Sequence, residues 1–257
     1  MAFVDLSDGT KIHYIKEGNG EQVIVFVHGN LGNHIWWEAS IDRLPSRFTA
    51  YALDLPGSGH SPETGIRHTI KYLSEILAGF VDTIGLEKIF LVGHSMGGGV
   101  CQLYAMNNPN KVKKLLLVNS MSAEGFQKLW ESGTERLRTF MSSYEQYLSA
   151  MNGIAAYCTE EQIFKRAITL GHKSSEQVYM EQPQTMYEAN WFDRIEELVC
   201  PVLYLYGKED QLLPMEQCVR TADAITDCRL VLLDNASHCP MVEVPDVVNN
   251  YLEDFFQ

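Results

Sequence analysis

Short apolar runs without alternation recur along this chain, and they constrain its fold more than any other feature. Val23-Ile24-Val25-Phe26-Val27 is five consecutive apolar residues. A strand with one wet face alternates apolar with polar residues, so a run without alternation is a strand covered on both faces, as in the middle of a parallel sheet. Comparable runs stand at 49–53, 88–92, 114–118, 201–206 and 229–233, apolar apart from the leading Thr49, Lys88, Lys114 and Arg229. Between them lie segments of helical spacing, among them Ile35 to Leu44, halted by Pro45, and Thr69 to Ile84, closed by Gly85. Strand and helix in alternation predict an α/β protein with a mostly parallel central sheet flanked by helices. Residues 2–6 and 11–16 are β-rich and joined by Ser7-Asp8-Gly9-Thr10, which predicts an antiparallel hairpin ahead of that sheet.

The alternation stops after residue 118. From about Met121 to Glu197 there is no buried-strand run, only helix-like spacing at 123–132, 134–151, 159–170 and about 174–190. An all-helical insertion at this point predicts a lid over the strand ends, where sheets of this kind bind ligands. The expected organisation is a core of residues 1–120 and 198–257 with a lid of 121–197 inserted after the 114–118 strand. Helices near 215–225 and from Val244 to Phe256 complete the core.

Gly93-His94-Ser95-Met96-Gly97 joins the 88–92 strand to the next helix. Glycines two places before and after a serine allow a turn too tight for side chains, which holds the hydroxyl above the sheet edge. Ser95 is therefore the candidate nucleophile. The amide of Met96 opens the helix and is placed to donate to a developing oxyanion. A serine hydroxyl needs a base, and that base needs an orienting acid. His238 follows the last strand and Asp210 the one before it, with Glu209 the nearest rival acid.

These motifs, with His28-Gly29 and Asp54-x-Pro56-Gly57-x-Gly59-x-Ser61, resemble the α/β-hydrolase fold superfamily from end to end. The resemblance is strongest to its lid-bearing serine esterases, lactonases and carbon–carbon bond hydrolases. It implies a triad of Ser95, Asp210 and His238, with an oxyanion hole from the backbone N–H groups of Asn30 and Met96, and Leu31 as the alternative to Asn30. His28 and the Asp54 to Ser61 turn read as scaffold. Expected pocket contacts are Leu31, His94, Trp130, Tyr144 and Trp191. The reaction implied is hydrolysis of a carboxylic ester or lactone through an acyl-enzyme. Thioester hydrolysis, acyl transfer, carbon–carbon cleavage and ligand-binding signalling are the alternatives on the same scaffold. His28-Gly29-Asn30 followed by Trp36 and Trp37 also resembles haloalkane dehalogenases, but those attack with a carboxylate where this chain has Ser95.

The balance of 33 Asp and Glu against 20 Lys and Arg, a net charge of −13, repels nucleic acid and anionic membranes, so the expected partner is a small-molecule substrate. A lid arginine such as Arg136, Arg138 or Arg166 facing inward would be needed to accept an anionic one. No apolar run reaches the roughly 18 residues of a membrane span, the first residues lack the pattern of a signal peptide, and none of the six cysteines falls in a C-x-x-C pair. A cytoplasmic protein with reduced thiols is expected. No cofactor or metal is expected either, because the eight histidines show no ligand spacing such as His-Glu-x-x-His.

Overall fold

The computed structural model of the chain describes residues 2–126 and 133–257, with the backbone alone at Thr134. Among these, strands β1 (Ala2–Asp5), β2 (Lys11–Glu17), β3 (Gln22–Val27), β4 (Phe48–Leu53), β5 (Ile89–His94), β6 (Val112–Val118), β7 (Val202–Gly207) and β8 (Cys228–Leu233) form one sheet. Its order is β1-β2-β4-β3-β5-β6-β7-β8. The expected hairpin is present as the antiparallel pair β1–β2, and β2 meets β4 antiparallel; every pairing from β4 through β8 is parallel.

Strand order reverses beside β3, because β4 packs on one side of it and β5 on the other. At such a reversal the loops leaving the two strands diverge and open a crevice at their carboxyl ends. The loop after β3 and the turn after β5 bound that crevice here.

Alternate strand residues face opposite layers, as period-two side-chain geometry requires. Val25, Val27, Leu91, Leu115 and Leu117 pack with Leu73, Leu77 and Phe80 of α2 (Ile70–Ile84, after a first short helix α1 at Glu38–Ile41) and with Val100 and Tyr104 of α3 (Met96–Asn107). Ile24, Phe26, Phe90, Val92, Leu116 and Val118 face the other way, toward Trp37, Val248, Leu252 and Phe256. β4, β5 and β7 are buried along their whole length, as their unalternating sequences predict.

Local chemistry sets the helix ends. Thr69 caps α2 by accepting from the Tyr72 N–H, and Gly85 ends it at φ 77°, a conformation that glycine adopts without a Cβ penalty. The 35–44 helix is shorter than expected: Asn33 caps a 3₁₀ turn at His34–Trp37, and α1 stops at Ile41.

Between β6 and β7 every regular element among the described residues is helical. The elements are α4 (Gly133–Ser142), α5 (Tyr144–Ile154), α6 (Glu161–Gly171), α7 (Glu176–Glu188) and a 3₁₀ turn at Phe192–Glu197. The single helix expected over 134–151 is two, because Ser143 turns extended and caps α5. Of the helix expected at 123–132, residues 123–126 form a turn instead and the rest lie outside the described residues. After β7 come α8 (Met215–Ala224) and, past β8, α9 (Pro240–Glu243) and α10 (Pro245–Phe255); Pro245, with no N–H to donate, starts the second of these.

Candidate active site

Ser95 stands between β5 and α3 at φ 52° and ψ −123°, outside the regions open to an ordinary L-residue. Its backbone is tied on both sides: its N–H donates to Val118 O at 3.2 Å, and its carbonyl accepts from Gly98 and Met121, each at 3.0 Å. The flanking glycines are demanded by contact. A Cβ on Gly93 would lie 2.7 Å from the Gly97 carbonyl oxygen and one on Gly97 2.3 Å from that of His28, while across the gap a Cβ on Gly29 of the loop after β3 would lie 2.9 Å from the Ser95 Cβ. The loop after β3 and the serine turn therefore pack backbone to backbone, with no room for side chains between them.

His238 arrives on the loop after β8, and its Nδ1–H donates to Asp210 Oδ2 at 2.8 Å. Asp210 is gripped further by the Asn119 side-chain amide, also on Oδ2, at 2.7 Å, and by the Leu212 and Leu213 N–H groups on Oδ1 at 2.7 and 3.1 Å. Burial pushes its pKa up, but the His238 charge and these hydrogen bonds outweigh that and leave it below the usual carboxylate range. Glu209 is exposed and its N–H bonds Ala236 O, so the main chain directs its side chain outward.

Two further residues brace the histidine, and nothing in the sequence pattern had singled them out. Asn119, at φ 40° just past β6, accepts from Gly207 N–H as well as holding Asp210. Glu243, buried in α9, accepts from the Ser237 and Cys239 N–H groups on either side of His238, and from Tyr157 N–H after α5. A polar residue ending a strand beside the acid is the signal for Asn119; Glu243 reads in sequence as a surface acid of a closing helix.

His94 is not a second base. Its Nε2–H donates to the His238 carbonyl at 2.8 Å, and burial, then the nearby His238 charge, lower its pKa to about 3, which keeps it neutral. His28 is a scaffold residue as expected: Nδ1 bonds Gly29 O, and Nε2 accepts from Leu55 N–H.

Ser95 and His238 open onto one cavity of about 360 Å³. Its walls include Asn30, Leu31 and Trp36 from the loop after β3 and Leu137, Phe140, Met151 and Ile154 from α4 and α5, with Met186 from α7. Arg136 also lines it, with its guanidinium 5.3 Å from the Phe140 ring. The other two arginines in view turn away, Arg138 toward Glu176 and Arg166 toward Glu38. Met96, the first residue of α3, is buried beside Ser95.

The expected pocket contacts divide. Leu31 and His94 line the cavity, and Trp130 lies outside the described residues. Tyr144 and Trp191 require correction. Tyr144, the first residue of α5, is 40 % exposed; its hydroxyl meets that of Thr169 on α6 and its ring lies edge-on to His172 at 5.2 Å, so it packs against the end of α6 instead of the cavity. Trp191 packs over Gly99, and its indole N–H donates to the Gln102 amide oxygen at 3.1 Å; a buried N–H needs an acceptor, and α3 supplies it. The Asn30 side chain is spent on Val178 O and Gln182 Oε1 of α7, both at 3.0 Å, which removes it from halide binding.

A strained serine at a helix start, an acid-held imidazole and a cavity at a topological switch make a scaffold equipped for nucleophilic acyl chemistry. Residues 22–245 match the family model described as the alpha/beta hydrolase fold, and the chain belongs to that family. Over 131 residues, 51 % of this chain, it is 36 % identical to the dihydrolipoyllysine-residue acetyltransferase component of the acetoin cleaving system of Cupriavidus necator, of whose length it spans only 34 %. It is 26 % identical to a pimeloyl-[acyl-carrier protein] methyl ester esterase of Vibrio parahaemolyticus, across 96 % of this chain and 99 % of the relative. The enol-lactonase of Burkholderia xenovorans shares its fold at a TM-score of 0.88 and 21 % identity, over 99 % of both chains.

Proposed function

We propose that this protein is a serine hydrolase that cleaves a small to medium carboxylic ester or lactone through an acyl-enzyme on Ser95. The observation that carries the reading is the Asp210–His238 pair at 2.8 Å, with His238 and Ser95 facing the same cavity. His238, its Nδ1–H fixed by Asp210, takes the Ser95 proton at Nε2 as Oγ attacks the acyl carbon. The oxyanion that forms is received by the backbone N–H groups of Asn30 and Met96, fixed dipoles that need no reorganisation. His238 then returns the proton to the leaving alkoxide and activates the water that releases the acid. Helices α4 to α7 act as the lid, with Asn30 anchoring α7 to the oxyanion loop. The esterase relative, matched over nearly the whole of both chains, supports hydrolysis over acyl transfer, since the acetyltransferase component is matched over only 51 % of this chain and 34 % of its own length.

A cytoplasmic setting fits the six unpaired cysteines, and among the described residues no helix is long and apolar enough to cross a membrane.

The cavity volume sets the acyl length. Each methylene it buries adds about 0.8 kcal/mol of transition-state binding. Across p-nitrophenyl esters from acetate to palmitate, run beside γ- and δ-lactones, kcat/KM is expected to climb and then fall at roughly four to eight acyl carbons. Fastest turnover of palmitate would refute a cavity that limits acyl length, and no Ser95-dependent turnover of any ester, lactone or thioester would make the site a receptor pocket.

Arg136 favours substrates that carry an anionic group away from the scissile bond, because it is the one Lys or Arg among the described residues lining this cavity. Arg136→Ala is expected to raise KM for a half-ester of a dicarboxylic acid by about tenfold while leaving the matching neutral ester unchanged, as loss of one partly exposed charged hydrogen bond implies. Equal effects on both esters would assign Arg136 to packing against Phe140 instead.

A further inference from the structure

Well away in sequence from the triad, the structure gathers three imidazoles around one buried carboxylate. Asp54, wholly buried at the end of β4, accepts from the His13 Nδ1–H at 2.8 Å and from the His34 Nδ1–H at 2.9 and 3.0 Å on its two oxygens. The backbone N–H groups of His34 and His60 complete its shell at 2.7 and 2.9 Å. The His60 ring lies over the same spot. Ring centroids are 4.9 Å apart for His13–His34, 4.9 Å for His13–His60 and 5.8 Å for His34–His60.

A scaffold role for Asp54 explains the two backbone donors but not three imidazoles from three separate segments. Nδ1–H donation to a carboxylate leaves the Nε2 of a neutral imidazole as a lone pair, which is the tautomer and outer partner of a metal-bound histidine. The His13 Nε2 is buried with no hydrogen-bond partner among the described residues, so a lone pair is held dry and unused. Ligand atoms from His13, His34 and Asp54 all lie within 4.8 Å of one another. Imidazoles bound at about 2.0–2.1 Å to one tetrahedral ion have ring centroids roughly 5 Å apart, close to the spacings seen here. His60 is exposed and the His34 ring is 9 % exposed, which gives an ion a way in.

We propose that His13, His34 and His60, with Asp54 beneath them, form a binding site for a divalent transition-metal ion of the zinc class. The nitrogen-rich donor set suits zinc, nickel or copper and disfavours magnesium and calcium. The ion would clamp the β1–β2 hairpin to the loops after β3 and β4, a structural function separate from hydrolysis at Ser95.

The test is calorimetric titration of chelator-stripped full-length protein with zinc chloride, with thermal melts and, in parallel, cobalt(II) absorption spectra. One ion per chain, a melting temperature that rises with free zinc, and the visible bands of low-coordinate cobalt are expected. His60→Ala and His34→Gln should each weaken zinc by at least about tenfold. His60 is exposed, so its variant is the one to judge if His34→Gln fails to fold in chelator. Absence of saturable zinc binding, or binding that both variants leave unchanged, would overturn the site; neither result depends on ester turnover.

Discussion

Ser95→Ala is expected to reduce ester hydrolysis by on the order of 10⁶-fold while leaving the protein folded. Loss of a triad serine in another serine hydrolase costs about that much, because nucleophile and base act as a unit and only binding and the oxyanion hole are left to act. The substitution removes a hydroxyl at a position that already tolerates a Cβ, so the strained backbone at φ 52° is kept and unfolding is not the cause of the loss. A fluorophosphonate probe should label the parent chain at Ser95 alone, read by intact mass and peptide mapping. Labelling that persists in Ser95→Ala would transfer the nucleophile elsewhere.

Asp210→Asn comes second in size, with a fall in kcat of about 10⁴-fold, as for a triad acid replaced by its amide. An asparagine side chain in that position can offer its N–H₂ to His238 Nδ1, which would leave the hydrogen on Nε2, where it is useless for accepting the Ser95 proton. The same replacement also sets an amide against the Asn119 N–H₂, which now meets a carboxylate oxygen at 2.7 Å. Glu209→Gln, on an exposed side chain, is expected to change kcat less than twofold, within the range of surface substitutions. A large loss in Glu209→Gln with a mild one in Asp210→Asn would move the acid by one residue.

The depressed pKa of Asp210 has a direction in stability too. A carboxyl whose folded pKa lies below its unfolded value stabilises the fold above the unfolded value, near 3.9. That stability is lost as pH falls through the folded pKa. Acid unfolding of the parent protein should therefore include an Asp210-dependent component below about pH 4, missing in Asp210→Asn.

The sheet, its flanking helices and the serine turn were legible because each rests on local chemistry. A five-residue apolar run needs cover on both faces wherever it falls, and Gly-x-Ser-x-Gly makes a tight strand-to-helix turn by itself. The order of Ser95, Asp210 and His238 was legible too, since each follows its own strand and parallel strands bring their ends to one edge. Tyr144 and Trp191 were misread because an aromatic residue on a helix records only that one face is buried, not which neighbour buries it. Tyr144 was decided by Thr169 and His172 at the end of α6, which its hydroxyl and ring meet, and Trp191 by the acceptor that Gln102 offers. Asn119 and Glu243 were missed for the same reason: their work is to hold Asp210 and the His238 loop across gaps of 91 and 6 residues, and although Asn119 is a polar residue ending a strand, no spacing names the partner it holds. His13, His34 and His60 look unrelated along the chain and meet only because β2 and the loops after β3 and β4 end beside one buried carboxylate. Period and propensity are properties of neighbours in sequence, and they determined the scaffold and the candidates for the reacting residues. Which side chains share a cavity or a hydrogen bond depends on how the segments pack, and that the tertiary structure alone decided.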